Sequence, residues 1–515
     1  MVSSRLPRRQ AERHGLRLWP VGTVLALTFI TAILVAAAVF YTGWDLLGAR
    51  TLKPERRLDS KTLFDLVKLS FGVVAGAGAL VALVVAYRRQ RVDEDGALRD
   101  ATRLHTERFT TAVSQLGNES AAVRLGGVHA VAGLADDAPT RELRQTCIDV
   151  LCAYLRLPYT AEDGLPAGDT EARHAYLALR EVRHTVIRLI RDHLRLPLQH
   201  RHSWRGHDFD FTGVTFDGGD FSGATFSDGT VSFNDATFAG GEVDFGKARF
   251  SGGTANFQGA TFADGMVKFH LATFSGSTVG FQSATFADGE VDFGKATFSD
   301  GTVDFNGARF SGGAVSFGAT FSGGAVSFGE ATFSGGWVDF AGAKFSDGTI
   351  NFRGAAFSDG RVDFDHARFS GGEVNLMDAS FSGGAVSFGE AKFSGGMVDF
   401  LGATFSEGTV SFKDVEFSGG TVRFGAATFS GSMVDFGAAI FSGGEVDFNR
   451  AKFSDGTVSF IAAGFSGGTV GFTARRFSGG TVNFTSASGE PPSGLLRLNE
   501  SRLPSGLIVP PAWCP

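Results

Sequence analysis

From Phe211 to Phe484 large apolar residues return at fixed steps, first every 5 residues through Phe211, Phe216, Phe221 and Phe226, then alternately every 5 and 7. The resulting 12-residue unit, for example TFSDGTVDFNGA, holds two alternating stretches, as in Ala236, Thr237, Phe238 and Val243, Asp244, Phe245. Alternation with period two is the strand pattern, so Ala, Val and both Phe share one side while Thr and Asp take the other. Ser-Gly-Gly or Ser-Asp-Gly between the stretches supplies positive-φ turns that a Cβ would obstruct. A single coil cannot hide its Phe side from water, so successive coils must stack into a solenoid. The predicted core is a continuous aromatic ladder, represented by Phe245, Phe250, Phe293, Phe298, Phe340, Phe345, Phe400 and Phe405.

Departures from the unit test this inward rule. Leu376 replaces a Phe, Ile350 a Val and Val415 an Ala, and all stay apolar. One residue is missing between Phe317 and Phe321, which a corner can absorb because Ala319 still precedes Phe321 by two. Arg475 breaks the rule, and the segment after it, rich in Pro with Leu495, Leu507, Ile508 and Trp513, reads as a cover for the last coil. The units at Phe211 to Phe226, with their small-Asp-Phe-Ser-Gly pattern, and the Ala-Thr-Phe-Ser-Asp stretches that follow resemble those of pentapeptide-repeat proteins. That resemblance implies a right-handed, four-sided β-helix. Two 12-residue units could then form one 24-residue coil, giving a rod of roughly 50 Å, or each could close alone into a two-sided coil, giving roughly 100 Å. The first is favoured, since the five-residue units would otherwise need a different cross-section.

Ahead of the solenoid the pattern changes twice. Residues 21–42 and 69–87 are uncharged apolar runs of membrane-spanning length. They predict a two-helix transmembrane hairpin, with a basic cytoplasmic tail at 1–20 and a short external loop at 43–68. Arg5, Arg8, Arg9, Arg13 and Arg17 before the first run, and Arg88, Arg89, Arg91, Arg99 and Arg103 after the second, favour a plasma-membrane protein with N-terminus and solenoid in the cytoplasm. Gly72 and Gly76, at a spacing that lets transmembrane helices approach closely, suggest a homodimer contact. Residues 98–200 turn helical in period, with Phe109, Ala112, Val113 and Leu116 on one stripe and Leu143, Cys147, Val150, Leu151 and Tyr154 on another. The segment RFTTAVSQLGNESAAVRLGGVHAVAGLADD resembles a HEAT- or armadillo-like module found ahead of pentapeptide repeats in bacterial membrane proteins. A basic helix carrying Arg173, Arg180, Arg183, Arg188, Arg191 and Arg195 closes this domain, and contact with anionic lipid headgroups is one expectation for it. The architecture expected is thus mainly β: a transmembrane hairpin, a small all-α domain, a β-helix over 208–485 and a C-terminal cap over 486–515.

Composition narrows the function more by exclusion than by assignment. The net charge is −7, and the solenoid holds about 31 acidic against about 16 basic residues. Cys147, Cys152 and Cys514 form neither a metal spacing nor a disulfide framework, as suits a reduced compartment. Gly464-Phe465-Ser466-Gly467-Gly468 satisfies a nucleophile-elbow pattern but is the repeat's own corner, without strand-to-helix context. His200, His202 and His207 have no carboxylate or thiol set at ligand spacing. No catalytic residue, metal or cofactor is expected. The remaining candidate is an outward face carrying Asp244, Asp292, Asp304, Asp339, Asp363, Asp399, Asp435 and Asp447. The reading is a membrane-anchored, non-catalytic scaffold offering a rigid surface to an unidentified protein partner, with no nucleic acid bound. The family resemblance adds a DNA-mimic topoisomerase inhibitor as an alternative. Outward Thr-x-Ser pairs such as Thr332 and Ser334 add, remotely, an ice-binding solenoid.

Overall fold

The computed structural model describes residues 21–46, 59–473, 476–495, 503 and 505–513. The basic tail at 1–20, residues 47–58 of the expected external loop and Arg475 lie outside the described residues. The chain divides into two units, Met1–Leu104 and His105–Pro515.

In the first unit, α1 spans Val21–Leu46 and α2 begins at Ser60. The apolar stretch 69–87 is only one segment of α2, which runs 57 residues to Leu116. Charged residues follow Tyr87, but neither Pro nor another strong breaker does, so nothing ends the helix there. Among the described residues α2 is the one helix long and apolar enough to cross a membrane, in place of the expected two-helix hairpin. Among the described residues, a Cβ at Gly72 or Gly76 would meet nothing within 4 Å.

The second unit joins a helical layer to the solenoid. Helices α3 (Ala121–Asp136), α4 (Arg141–Leu155) and α5 (Thr170–Arg195) each bury one stripe: Val128, Val131 and Ala135; Cys147, Leu151 and Leu155; Val182, Val186 and Ile190. Thr140 Oγ1 accepts from the Leu143 N–H and Asp169 Oδ1 from the Ala172 N–H, satisfying orphan donors at the starts of α4 and α5.

Beyond the helices the chain winds into a right-handed β-solenoid of about 12 turns. Residue i lies beside residue i + 24, as Phe250, Phe274 and Phe298 do, so the coil is two 12-residue units long. Its strands gather into two parallel sheets, one per unit of each coil. Within a unit the Gly corner acts as a bulge, not a sheet boundary, so that Thr237–Asp244 and Thr261–Lys268 are single strands with a register shift at the corner.

The inward side is aromatic throughout. Phe245, Phe250, Phe293, Phe298, Phe340, Phe345, Phe400 and Phe405 are all buried. Rings stack from coil to coil at near-parallel angles, for example Phe274 on Phe298 at 4.8 Å and 4°. Across the middle of the coil the rings following Val meet edge to face, as Phe305 and Phe317 do at 5.5 Å and 89°. Both are favoured quadrupole geometries, and each adds to the burial of a large apolar side chain.

The irregular positions follow the same rule. Where one residue is missing, the turn tightens: Ala319 N–H donates to Phe317 O at 2.5 Å across one residue, whereas Ala296 N–H reaches Phe293 O at 3.0 Å across two. Phe321 therefore still stacks on Phe298, at 4.9 Å. The first coil is shorter, with Phe211 stacking on Phe233 and Phe216 on Phe238, a step of 22 residues. Glycine fills the second corner position in most units, with Ser277 and Ser432 as exceptions. Gly336 has φ +71, and a Cβ there would lie 2.5 Å from Gly312 O in the neighbouring coil.

Both ends are covered. Ile187 of α5 packs on Gly219 of the first coil, so close that a Cβ at Gly219 would meet its Cδ1 at 2.9 Å. At the far end Trp513 lies over Phe465 and Phe484 at 5.7 and 5.4 Å and donates from its indole nitrogen to Gly489 O at 2.8 Å. Leu507 pairs beside Val482.

Candidate functional site: the lateral faces and the docked first coil

With both ends covered, the solenoid presents its sides. The aspartates expected to form one face lie on two. Asp244, Asp292, Asp339, Asp363 and Asp435 belong to one sheet, and Asp304, Asp399 and Asp447 to the other. Since successive units alternate between sheets, the same unit position falls alternately on each.

Each of these carboxylates also has a local task. The N–H two residues on donates to its Oδ1: Gly246 to Asp244, Gly294 to Asp292, Asn306 to Asp304, Ala341 to Asp339, Asp365 to Asp363, Leu401 to Asp399, Gly437 to Asp435 and Asn449 to Asp447, all within 2.6–2.9 Å. These are Asx turns closing the bend after each inward Phe. Asn256, Asn351 and Asn375 close their bends in the same way, and Ser411 does so at the longer 3.4 Å. The preference for Asp, Asn and Ser before Phe is therefore a property of the bend. Replacing Asp435 with Ala is expected to cost about 1 kcal/mol, and Asp435→Asn to cost less, both read from thermal unfolding by circular dichroism.

Cations sit among the acids. Lys268 pairs with Glu242 at 2.7 Å, Lys392 with Glu416 at 3.0 Å, and Arg423 lies 3.8 Å from Asp399. Arg361 bonds Asp363, whose carboxyl is nonetheless held above its ordinary range, first by burial and then by Asp365 beside it.

The most structured polar cluster lies where α5 meets the first coil. Asp217, buried at a corner of that coil, accepts from Tyr159 Oη at 2.5 Å and Tyr176 Oη at 2.7 Å. Arg180 Nε stands 3.3 Å away and His184 Nε2 3.5 Å away. Burial alone would raise this carboxyl, but the contacts from His184, Tyr159 and Tyr176 outweigh it and hold it far below the usual carboxylate range. Burial and Asp217 together push Tyr176 up to about 12. Arg183, also buried, stacks 4.1 Å over the Tyr159 ring and donates to Leu155 O and Thr215 O at 2.6 Å each.

Four of the six arginines on the basic helix turn to the first coil, while Arg173 and Arg188 stay exposed. Arg191 pairs with Asp220, Arg195 donates to Ser222, and Arg180 and Arg183 reach the first coil as above. Arg173 pairs with Glu162 and Arg188 with Thr185. Arg180 and Arg191 thus match Asp217 and Asp220 of the first coil. Sequence periodicity gave no sign of this, because Asp217 occupies an ordinary corner position of the repeat.

Other chemistry is sparse. No group of three His, Cys, Asp or Glu able to hold a metal occurs among the described residues. Burial pushes the Cys147 thiol up to about 12 and the Cys152 thiol higher still, which leaves both poor nucleophiles. His202 lies 3.7 Å from Asp136, and His207 contacts Gln145 at 3.0 Å, within the junction between helices and coil. Ser466 is a corner residue stacked on the coil below, its N–H donating to Phe441 O.

Inward aromatics, glycine corners and a 24-residue period define a β-solenoid repeat protein. A family model for pentapeptide repeats matches residues 211–261, in nine copies. The stacked ladder itself runs on to Phe484. No curated protein and no solved structure matches the chain.

Proposed function

We propose that this protein is a membrane-tethered, non-catalytic scaffold whose solenoid offers its lateral faces to a protein partner. The observation that carries the reading is the covering of both solenoid ends, by Ile187 with its arginine neighbours and by Trp513, which leaves only side surfaces for binding. Ladder hydrogen bonds and ring stacking along the whole length make that surface stiff, so a partner meets a fixed array of side chains. The tether is the apolar segment of α2, and Arg88, Arg89 and Arg91 just after it support a solenoid on the cytoplasmic side. The acids are committed to bends and interleaved with Lys and Arg, an arrangement that suits a protein partner better than mimicry of a duplex.

Two arms of one experiment test this. A reporter active only in the cytoplasm, fused after Pro515, is expected to be active and to sediment with membranes. Cross-linking the full chain in intact membranes is expected to trap a protein through residues of the solenoid sides. Activity only of an export-dependent reporter would overturn the cytoplasmic placement, and recovery of the chain free of membranes would overturn the tether. Adducts confined to the helical domain would overturn the lateral assignment.

A further inference from the structure

The side of the solenoid that carries Trp337 has an unusual sequence of outward residues. In one sheet, the positions just before the inward Val stack in the order Glu242, Met266, Glu290, Ala314, Trp337, Arg361, Ala385, Thr409, Met433 and Thr457. Trp337 is 46 % exposed, and among the described residues no ring or cation contact to it occurs within the chain. Its neighbours across the strands are Ala314, beside Gly313, on one side and Arg361, beside Gly360, on the other. A large aromatic standing on a smooth surface of this kind marks an interaction site.

We infer that this side is the interface of an antiparallel homodimer, with a twofold axis between the Trp337 and Arg361 rungs. Such an axis, lying in the interface across the solenoid, sets each column against itself in reverse order. Trp337 of one copy then faces Arg361 of the other, a cation–π pair made twice. Ala314 faces Ala385 and Met266 faces Met433. Glu242 and Glu290 face Thr457 and Thr409, whose hydroxyls can donate to them.

The neighbouring column, just after each Val, agrees. Lys268 meets Asp435, Asp292 meets Ser411, and Ser316 meets Ser387. The like-charge approach of Asp339 to Asp363, made twice, is relieved by Arg361, which covers Asp363, leaves it only 5 % exposed and keeps 55 % of its own side chain exposed. Shifting the axis by half a rung sets Asp244 against Asp435, or Arg361 against itself. A parallel pair sets Glu242 and Glu290 against the aspartates of their own rungs. Charge therefore selects both the direction and the register. The strip measures roughly 50 Å by 10 Å on each copy, at the low end for a specific interface, so the dimer is reversible.

The test uses the full chain in detergent with Cys514→Ser. Light scattering across a concentration series is expected to show a monomer–dimer equilibrium. Trp337→Glu and Arg361→Glu should each weaken it at least tenfold, while Trp337→Phe keeps it, and circular dichroism checks that each variant is folded. A short bis-maleimide should join two chains carrying Ala314→Cys with Ala385→Cys, but not chains carrying Ala314→Cys alone. A wild-type chain monomeric throughout, a dimer indifferent to both glutamate variants, or cross-linking by Ala314→Cys alone would each overturn the inference. So would a monomer whose Trp337 fluorescence responds to a soluble saccharide or peptide instead.

Discussion

Replacing Phe364 with Asp is expected to destabilise the solenoid by roughly 4 kcal/mol or more, whereas Asp363→Ser should stay within about 1 kcal/mol. Phe364 is buried, stacked between Phe340 at 4.7 Å and Phe388 at 4.8 Å, and edge to face with Phe352 at 6.2 Å. A carboxylate there loses its hydration, finds no donor among rings, and leaves a void that neighbours in a ladder cannot collapse to fill. Asp363 lies on the outer side of its strand, covered by Arg361, and Ser387 and Ser411 already occupy its row in the coils above. Because each coil contacts only its neighbours, the damage should spread locally. Thermal circular dichroism should show a lowered or split transition, and limited proteolysis should cut first near residue 364. Equal melting of the two variants would contradict the inward assignment.

The second large effect is expected at the junction. Asp217→Ala should loosen α5 from the first coil at a cost of about 3 kcal/mol, because removing one member of a buried charge cluster strands the others. Tyr159, Tyr176, Arg180 and His184 would all lose the group they converge on. Acid should act in the same direction. The folded-state pKa of Asp217 is depressed, so its contribution is complete above the unfolded value near 4 and is lost as pH falls below it. Hydrogen exchange of α5 is expected to accelerate below about pH 4 in the natural protein and to be fast and less pH-dependent in Asp217→Ala. Slow exchange of α5 in that variant at neutral pH would contradict the role assigned to this carboxylate.

The aromatic ladder was legible because each ring position is set by a short-range rule, strand alternation interrupted by a corner. Even the missing residue near Ala319 could be placed, since the spacing from Ala to the next Phe is preserved. The 24-residue coil was legible as the favoured of two options, and the register of Thr285 beside Arg309 decides it. The distribution of Asp244 and Asp304 over opposite sheets was not read, because a 12-residue repeat conceals which unit lies on which side. The turn-closing task of the aspartates was missed for a similar reason, since an Asx turn shows only once the bend after Phe has a conformation. Asp217 was invisible because its partners, Tyr159 to His184, lie outside the repeat. Helix α2 overran its expected boundary because charge alone, without a breaker, does not stop a helix.

The central claim is that two 12-residue units make one coil around stacked phenylalanines, and paired cysteines test it most directly. In the full chain with Cys514→Ser, Thr285→Cys with Arg309→Cys places two thiols on adjacent parallel strands, at a backbone spacing of about 4.8 Å that a disulfide can bridge. Thr285→Cys with Thr297→Cys places them in different sheets. Rapid, intramolecular oxidation of the first pair and none of the second is the expected result. Oxidation of the second pair in place of the first would mean a 12-residue coil and would contradict the account.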